Sequence, residues 1–365
     1  MMLSYFYCKV RYKNILKLFV TIGIFGIIIM HLMMNNYKLI VGRSLIHSDG
    51  NATYSDQVTQ KRRLFVYTNN LYDQHFRAKR PLEATEEMLQ RLQIPPPESS
   101  FVELSEEMLQ NFVFVTASSR NHFNESLELI GGIQTYYPDR DIYYYDIGLE
   151  DENVAKIKTM CRVKYRQFDF EAYPPHVSII KTYAFKPLII KEMMTEHRVG
   201  VFWVDSSIRF KTGETETLWE KMKNGNGLVL FINTFINKIS AVTHPDMYEF
   251  LPADEQEMRG RTTYGCGALL IYNTKFAYEH FFQWFLLCAL NAQCIAPVGS
   301  RIKCDEESKD RSAYRNCHRF DQSALNILIS NMYNFWGNFE YEICDTTRLF
   351  VTRKETNMFE LNFCM

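Results

Sequence analysis

From Asn111 onward the chain alternates short apolar runs with longer segments of mixed polarity. Such alternation is typical of parallel strands that are connected by helices. The pattern predicts strands at 112–119, 141–149, 163–170 and 199–205, and helices at 125–136, 152–160 and 182–197. Pro187 is expected in the first turn of the last helix, or at a kink in it. The predicted fold is an open α/β sheet with helices on both faces.

Another apolar run lies near the N-terminus. The residues from Leu18 to Met34 carry no formal charge, which is typical of a short membrane-spanning helix. Basic residues precede it at Lys9, Arg11, Lys13 and Lys17, and fewer follow it, at Lys38 and Arg43. This bias predicts a cytoplasmic N-terminus. Since no small-x-small cleavage site follows the run, an uncleaved anchor is favoured over a cleaved signal peptide.

We therefore predict a single-pass type II membrane protein of the ER or Golgi. The predicted parts are a cytoplasmic tail at 1–17, an anchor at 18–34, a stem at 35–100 and a lumenal domain at 101–365. The stem ends in IPPPESS, whose prolines favour an extended backbone. It also contains a predicted strand at 63–68 and a predicted helix at 81–93, so part of it is expected to pack on the domain.

Cysteine usage agrees with a lumenal domain. Eight cysteines follow the anchor: Cys161, Cys266, Cys288, Cys294, Cys304, Cys317, Cys344 and Cys364. An even number can pair completely in an oxidising compartment. The group from Cys288 to Cys317 lacks a C-x2-C pair, so its spacing favours disulfides over a zinc site. The sequons at Asn51 and Asn124 would be glycan acceptors in the lumen.

Overall charge limits the class of partner. The formal net charge is -1 and the sequence pI is about 6.8. A chain without a global positive field has little to attract phosphate backbones, so nucleic acid is excluded as the expected partner.

Hydroxyl and carboxyl side chains occupy the ends of the predicted strands. They are Thr116, Ser118 and Ser119 at the end of the first strand, and Asp146, Asp169 and Asp205 at the ends of the others. Ligands of open α/β sheets bind beyond the carboxyl ends of the strands. These groups suit a nucleotide ribose and a metal-bound diphosphate. For Asp205 the alternative is a structural one, in which it caps the turn through Ser206 and Ser207.

The string VFWVDSSIRF, residues 201–210, resembles the Asp-x-Asp element of GT-A glycosyltransferases. Asp205 matches the first acidic residue, which implies binding of Mn²⁺ or Mg²⁺ and of the donor ribose. Ser207 stands where the second carboxylate is expected, which puts metal dependence in doubt. Arg209 or Lys211 is then the expected source of positive charge for the phosphates.

Two further strings resemble the same class, in the order that it requires. GCGALLIYNT, residues 265–274, is similar to a Gly-rich strand entry, which implies that Gly265, Gly267 and Ala268 border the donor sugar. HRFDQSALNILISN, residues 318–331, is similar to a segment in which an Asp-Gln pair opens a helix. This implies that Asp321 contacts donor or acceptor and that Gln322 supports it. The alternative for Asp321 is a helix N-cap.

Lys186 aligns with a basic donor-contacting residue of some of these enzymes, although a solvated lysine explains it as well. At closer range, strings such as FVTASSRNHFNES, KTYAFKPLIIKE and WVDSSIRF resemble an uncharacterised family expanded in nematodes. The resemblance implies a GT-A-like open mixed sheet and a lumenal transferase. It would move a sugar from a nucleotide-sugar donor to a glycan, protein or lipid acceptor.

Other classes fit less well. A catalytically silent GT-A-like domain that binds a sugar or a partner is the main alternative, because Ser207 replaces a carboxylate. A sulfotransferase needs a Gly-rich phosphate loop with lysine after the first strand, and FVFVTASSRNHF has none. A Rossmann dehydrogenase is excluded because G-x-G-x-x-G is absent.

Overall fold

A seven-stranded mixed sheet forms the centre of the protein, as seen in a computed structural model. The structure describes residues 61–67, 77–213, 222, 226–231, 237–306, 310–335, 342–343, 350–352 and 361–364. The described strands are β1 Arg62–Phe65, β2 Leu82–Thr85, β3 Phe112–Ser118, β4 Ile142–Asp146, β5 Val163–Gln167, β6 Gly200–Val204, β7 Ile208–Phe210, β8 Leu228–Phe231, β9 Ala268–Ile271, β10 Glu342–Ile343 and β11 Phe350–Thr352.

The strand order in the main sheet is β10-β8-β9-β6-β3-β4-β5. β9 runs antiparallel to its two neighbours, β6 and β8, and the other pairs in the sheet are parallel. The register aligns Phe114 with Ile142 on one side and with Phe202 on the other. β1 pairs with β2, and β7 with β11, in two small antiparallel sheets.

Helices cover both faces of this sheet. The described α-helices are α1 Glu86–Arg91, α2 Glu106–Leu109, α3 Phe123–Tyr136, α4 Asp151–Lys158, α5 Phe185–His197, α6 Glu255–Gly260, α7 Lys275–Ala277, α8 Gln283–Leu290, α9 Ala292–Ile295 and α10 Asp321–Phe335. A π-helical segment, Tyr278–Phe282, joins α7 to α8. The predicted α/β fold and its mixed sheet are confirmed. Pro187 lies in the first turn of α5, as expected.

Alternation along the inner strands divides the core into two layers. Val115 and Trp203 face one layer, and Phe114 and Phe202 face the other. All four side chains are buried, because successive residues of a strand point to opposite faces and helices cover both faces. This explains why β3 and β6 are apolar almost throughout.

The part of the predicted stem that the structure describes is packed on the core. Leu82, Ala84, Leu89 and Leu92 are buried in the layer that also contains Trp203. The predicted helix at 81–93 is only partly correct, since its first residues form β2 and pair with β1. The predicted anchor at 18–34 lies outside the described residues. Among those that are described, no helix has the length and apolar character to cross a membrane.

Three disulfides link described cysteines. Cys288 bonds to Cys294, Cys304 to Cys317, and Cys161 to Cys364. The prediction of disulfides rather than zinc ligands in the Cys288–Cys317 group is thus confirmed. Complete pairing is wrong, however, because Cys266 is a buried free thiol. It lies beside the charged side chains of Lys186 and Asp321. Cys344 lies outside the described residues.

One cavity, which we call the larger cavity, lies beside β5 and α5, away from the predicted site. It has a volume of about 650 Å³, and its carboxylates are engaged. Glu196 pairs with Arg166, and Glu192 accepts hydrogen bonds from two tyrosine hydroxyls. Lys191 also lines this cavity, with only 2% of its surface exposed. Its ammonium lies 5.7 Å from the centre of the Tyr278 ring, and no described carboxylate pairs with it.

Replacing Lys191 with methionine is expected to stabilise the protein at neutral pH. Burial lowers the pKa of Lys191 to about 8, so the folded chain holds this proton less well than the unfolded chain. The wild type should therefore become more stable as the pH rises from about 8 to 10.5, the ordinary pKa of a lysine, whereas the stability of Lys191→Met should not change in this way. Below pH 8 the variant should be more stable by up to roughly 3 kcal/mol, at about 1.4 kcal/mol per pKa unit. Urea unfolding across this pH range tests both statements; equal stability at pH 7 would contradict them.

Candidate functional site

A second cavity, of about 460 Å³, opens where β6 ends. Most of the predicted site residues line it: Lys186, Asp205, Ser207, Gly265, Gly267, Ala268, Asp321 and Gln322. They come from α5, from the turn after β6, from the entry into β9 and from the start of α10. The sheet order explains this convergence, because β9 pairs directly with β6 and α10 begins beside both.

A buried lysine connects the charged residues of the cavity. Lys186 Nζ lies 2.7 Å from Asp321 Oδ2 and 3.2 Å from Asp205 Oδ1, and it donates to the carbonyl oxygen of Cys266 at 2.9 Å. The rings of Tyr183 and Trp203 lie 5.5 Å from it. We call Lys186, Asp205 and Asp321 the charged triad. The solvated-lysine alternative for Lys186 is wrong, since only 2% of its side chain is exposed.

Burial and charge oppose each other within the triad. Burial alone lowers the pKa of Lys186, but the adjacent carboxylates outweigh it and hold this pKa well above its ordinary value. Burial raises the pKa of Asp321, and the Lys186 ammonium opposes that rise. Burial, with the nearby Asp321 carboxylate, raises the pKa of the Cys266 thiol. Lys186 is thus a permanent internal cation, and Cys266 is a neutral thiol.

Asp205 is oriented by contacts on several sides. Its Oδ1 accepts from Trp203 Nε1 at 2.7 Å, and its backbone N–H donates to the Gly267 carbonyl at 2.7 Å. A Cβ added to Gly267 would come within 3.3 Å of Asp205 Oδ2. Glycine at this position therefore leaves room for the carboxylate. Since a third of the Asp205 side chain is exposed, Oδ2 can accept a hydrogen bond from a ligand.

Asp321 begins α10 as its first residue, so the predicted helix is confirmed, and its carboxylate contacts Lys186. The side chain of Gln322 donates to the Tyr264 carbonyl at 2.7 Å. Asn326 binds both the N–H and the carbonyl of Tyr264, at 2.7 and 3.0 Å. The start of α10 therefore fixes the backbone that leads into Gly265 and Gly267.

Other predicted residues lie away from this cavity. Thr116, Ser118 and Ser119 are buried at the end of β3 and do not line it. Arg209 is also buried, where it donates to Glu128 at 2.8 Å and to the Ser206 carbonyl at 2.7 Å. Arg209 is thereby committed to Glu128, and Lys211 does not line the cavity either. The position of the smaller cavity therefore does not support the predicted contacts of these five residues with a nucleotide.

Two of the other strand ends have structural roles. Asp146 accepts from the backbone N–H groups of Gly148 and Leu149 and from the Tyr165 hydroxyl, so it shapes the turn after β4. Asp169 lines the larger cavity and lies 3.5 Å from Arg91. Among the predicted strand-end carboxylates, Asp205 is the one that borders the smaller cavity.

Sequence reasoning missed Arg319 and the polar role of Trp203. Arg319 lines the cavity two residues before Asp321. Trp203 is 1% exposed, which agrees with its predicted place in the core, but its indole N–H also orients Asp205. The period of two along a strand could have shown the latter, because Trp203 and Asp205 share a face.

The donor set does not fit a divalent cation. Asp205 and Asp321 both contact the Lys186 ammonium, and Ser207 offers a hydroxyl in place of a carboxylate. His318 lines the cavity, but its ring nitrogens are bonded to the His244 backbone N–H and the Ile295 carbonyl. Within the described ranges, no group of three or more His, Cys, Asp or Glu side chains could hold a metal ion.

In sequence, residues 53–191 match a family described as "Protein of unknown function (DUF1647)". This match confirms the predicted resemblance to an uncharacterised family. No protein of curated function matches the chain.

Solved glycosyltransferase structures resemble the fold at low identity. The galactosyltransferase LgtC, with donor and acceptor sugar analogues, is 17% identical over 59% of this chain and 69% of its own, with a TM-score of 0.34. Mouse xyloside xylosyltransferase 1 in its apo form is 12% identical over 60% and 81%, with a TM-score of 0.35. Core-mannan synthase A from Aspergillus fumigatus, in its Mn/GDP form, is 9% identical over 63% and 72%, with a TM-score of 0.36. Similarity this low assigns no activity.

Replacing Lys186 with methionine is expected to destabilise the protein, in contrast to the same change at Lys191. Without the ammonium, Asp321 is a buried carboxylate beside Asp205, and breaking a buried ion pair costs about 3–5 kcal/mol. Urea unfolding of Lys186→Met measures this loss. Lys181→Met, at an exposed lysine nearby, is the control and should change stability by less than about 0.5 kcal/mol. Wild-type stability of Lys186→Met would show that the triad does not support the fold.

Proposed function

We propose that this protein is a glycosyltransferase that uses a nucleotide-sugar donor and binds it in the smaller cavity. The observation that carries the proposal is the charged triad at the end of β6, with Gly265 and Gly267 opposite it. Open α/β sheets bind ligands at this edge. The cavity combines hydrogen-bond acceptors for sugar hydroxyls with a wall of backbone that a sugar ring can approach closely.

Each residue has a chemical task in this proposal. The exposed oxygen of Asp205 would accept from hydroxyls of the donor ribose or sugar. Asp321, at the base of the cavity, would contact the transferred sugar or the acceptor. In the reaction the anomeric carbon exchanges its bond to the diphosphate oxygen for a bond to an acceptor oxygen. The electron pair of the broken bond stays on the diphosphate, which leaves with the nucleoside, and the proton of the acceptor hydroxyl is released to solvent.

We further propose that transfer takes place in the lumen of the ER or Golgi. Three disulfides link described cysteines, and such bonds form and persist in oxidising compartments. The uncharged run from Leu18 to Met34 and the basic residues before it support an anchor with a cytoplasmic N-terminus. A glycan, a protein or a lipid in the lumen would then be the acceptor.

A binding protein without turnover is the second candidate. Ser207 replaces a carboxylate, and Lys186 occupies one oxygen of Asp205, so the cavity could hold a sugar nucleotide without activating it. Incubation of the full-length chain with radiolabelled nucleotide sugars separates the two. An active transferase releases free sugar slowly when water is the acceptor, whereas a binding protein retains the donor intact.

The Asp205→Asn variant should bind a nucleoside diphosphate sugar at least about ten-fold more weakly, because hydrogen bonds to charged groups contribute about 1.5–3 kcal/mol. The fold should survive, since Lys186 still pairs with Asp321. Isothermal titration of the full-length chain in detergent, with a panel of nucleotide sugars, measures the effect. Asp169→Asn is the control, at an exposed carboxylate after β5 that does not line the smaller cavity. Unchanged affinity in Asp205→Asn would exclude this cavity as the donor site.

Gly267→Ala gives a milder test that keeps every charge. The added methyl would lie 3.3 Å from Asp205 Oδ2 and from Ile208 Cδ1, so the carboxylate must shift by a few tenths of an ångström. We expect weaker donor binding with little loss of thermal stability. Gly260→Ala is the matched control, because a Cβ at Gly260 meets no atom within 4 Å. Equal donor affinities in the two variants would show that the position of Asp205 is unimportant.

A further inference from the structure

The cations around the smaller cavity are not equivalent. An ammonium has three N–H donors, and Lys186 Nζ has three oxygen atoms within 3.2 Å, namely Asp205 Oδ1, Asp321 Oδ2 and the Cys266 carbonyl oxygen. Lys186 is therefore the internal counterion of two carboxylates. It has no donor left for the phosphates of a ligand.

Arg319 also lines the smaller cavity, and unlike Lys186 it is not surrounded by described carboxylates. Within the described part of the chain, no carboxylate pairs with its guanidinium, which is half-buried. Burial lowers its pKa, but an arginine stays charged at any physiological pH. A half-buried charge without a partner favours binding of an anion.

The backbone around Arg319 is fixed. Its N–H donates to the Val242 carbonyl at 3.1 Å and to Ser323 Oγ at 3.2 Å. The preceding residues are His318, whose ring is bonded on both sides, and Cys317, which is joined to Cys304. Little ordering of the backbone is thus left to occur when a ligand binds.

We propose that Arg319 binds the diphosphate of the donor and that this cavity needs no divalent cation to do so. The inference rests on the proposed function. Guanidinium is planar and donates to two phosphate oxygens at once, so one arginine can offset charge on the leaving diphosphate. The Lys186 ammonium offsets one of the two negative charges on Asp205 and Asp321, which reduces their repulsion of the diphosphate.

Titration of the full-length chain in detergent with UDP, GDP, ADP and CDP tests the proposal, first with EDTA and then with excess Mn²⁺. We expect one nucleotide to bind in EDTA, with an affinity within about two-fold of that in Mn²⁺. Arg319→Gln should weaken this binding at least about ten-fold, equivalent to about 1.4 kcal/mol. Arg319→Lys should recover part of the loss, because it restores the charge but not the paired donors.

Arg311→Gln is the matched control, at an exposed arginine on the same loop that does not line the cavity. Thermal midpoints of all variants, measured in the same buffers, separate loss of binding from loss of fold. Binding only with Mn²⁺ would overturn the proposal and leave the donor site intact. Wild-type affinity in Arg319→Gln would likewise overturn it. Absence of binding to every nucleotide, in both buffers, would remove the proposed function and this inference together.

Discussion

The buried ion contact between Lys186 and two carboxylates is the constraint on which the site depends. It joins α5, the end of β6 and the start of α10, which are far apart in the chain. Each partner alone would be costly at its depth, since an unpaired buried charge loses its hydration. Together they satisfy one another, and the lysine also holds the main chain at Cys266. The same contact therefore stabilises the fold and places the two acids that face the cavity.

The neighbouring layers give this contact a fixed geometry. Trp203 lies in the core and donates to Asp205, so the packing of β6 decides where the carboxylate points. On the opposite side, Gln322 and Asn326 bind the backbone of Tyr264 and set the path into Gly267. Rigid elements hold both walls of the cavity. A site of this kind can bind a ligand without much ordering of its own residues.

The sequence predicted the strands and helices of the sheet well, because their apolar runs are long and regular. β3 and β6 lie within one residue of their predicted ends, whereas β4 ends three residues earlier than predicted, at Asp146. Asp205, Lys186 and Asp321 were also found, but only as separate candidates. Their mutual contact depends on α10 beginning beside β6, and a linear pattern does not contain that information. Arg209 was predicted to face the phosphates because it lies near Asp205 in sequence, but in the structure its guanidinium is paired with Glu128.

A lysine between two acids has different consequences from a metal ion in the same place. A divalent cation leaves with a chelator and can share its charge with a diphosphate, whereas an ammonium bound to the chain stays and is already neutralised. To bind the diphosphate of the proposed donor, the protein must then supply further positive charge from another residue. Arg319 meets that requirement in a half-buried position, next to a disulfide-linked loop and without a described acidic partner. In the proposed donor site, Ser207 lacks the charge of the carboxylate expected at its position, and Arg319 carries a charge without a described acidic partner, so both features favour an anion over a metal ion.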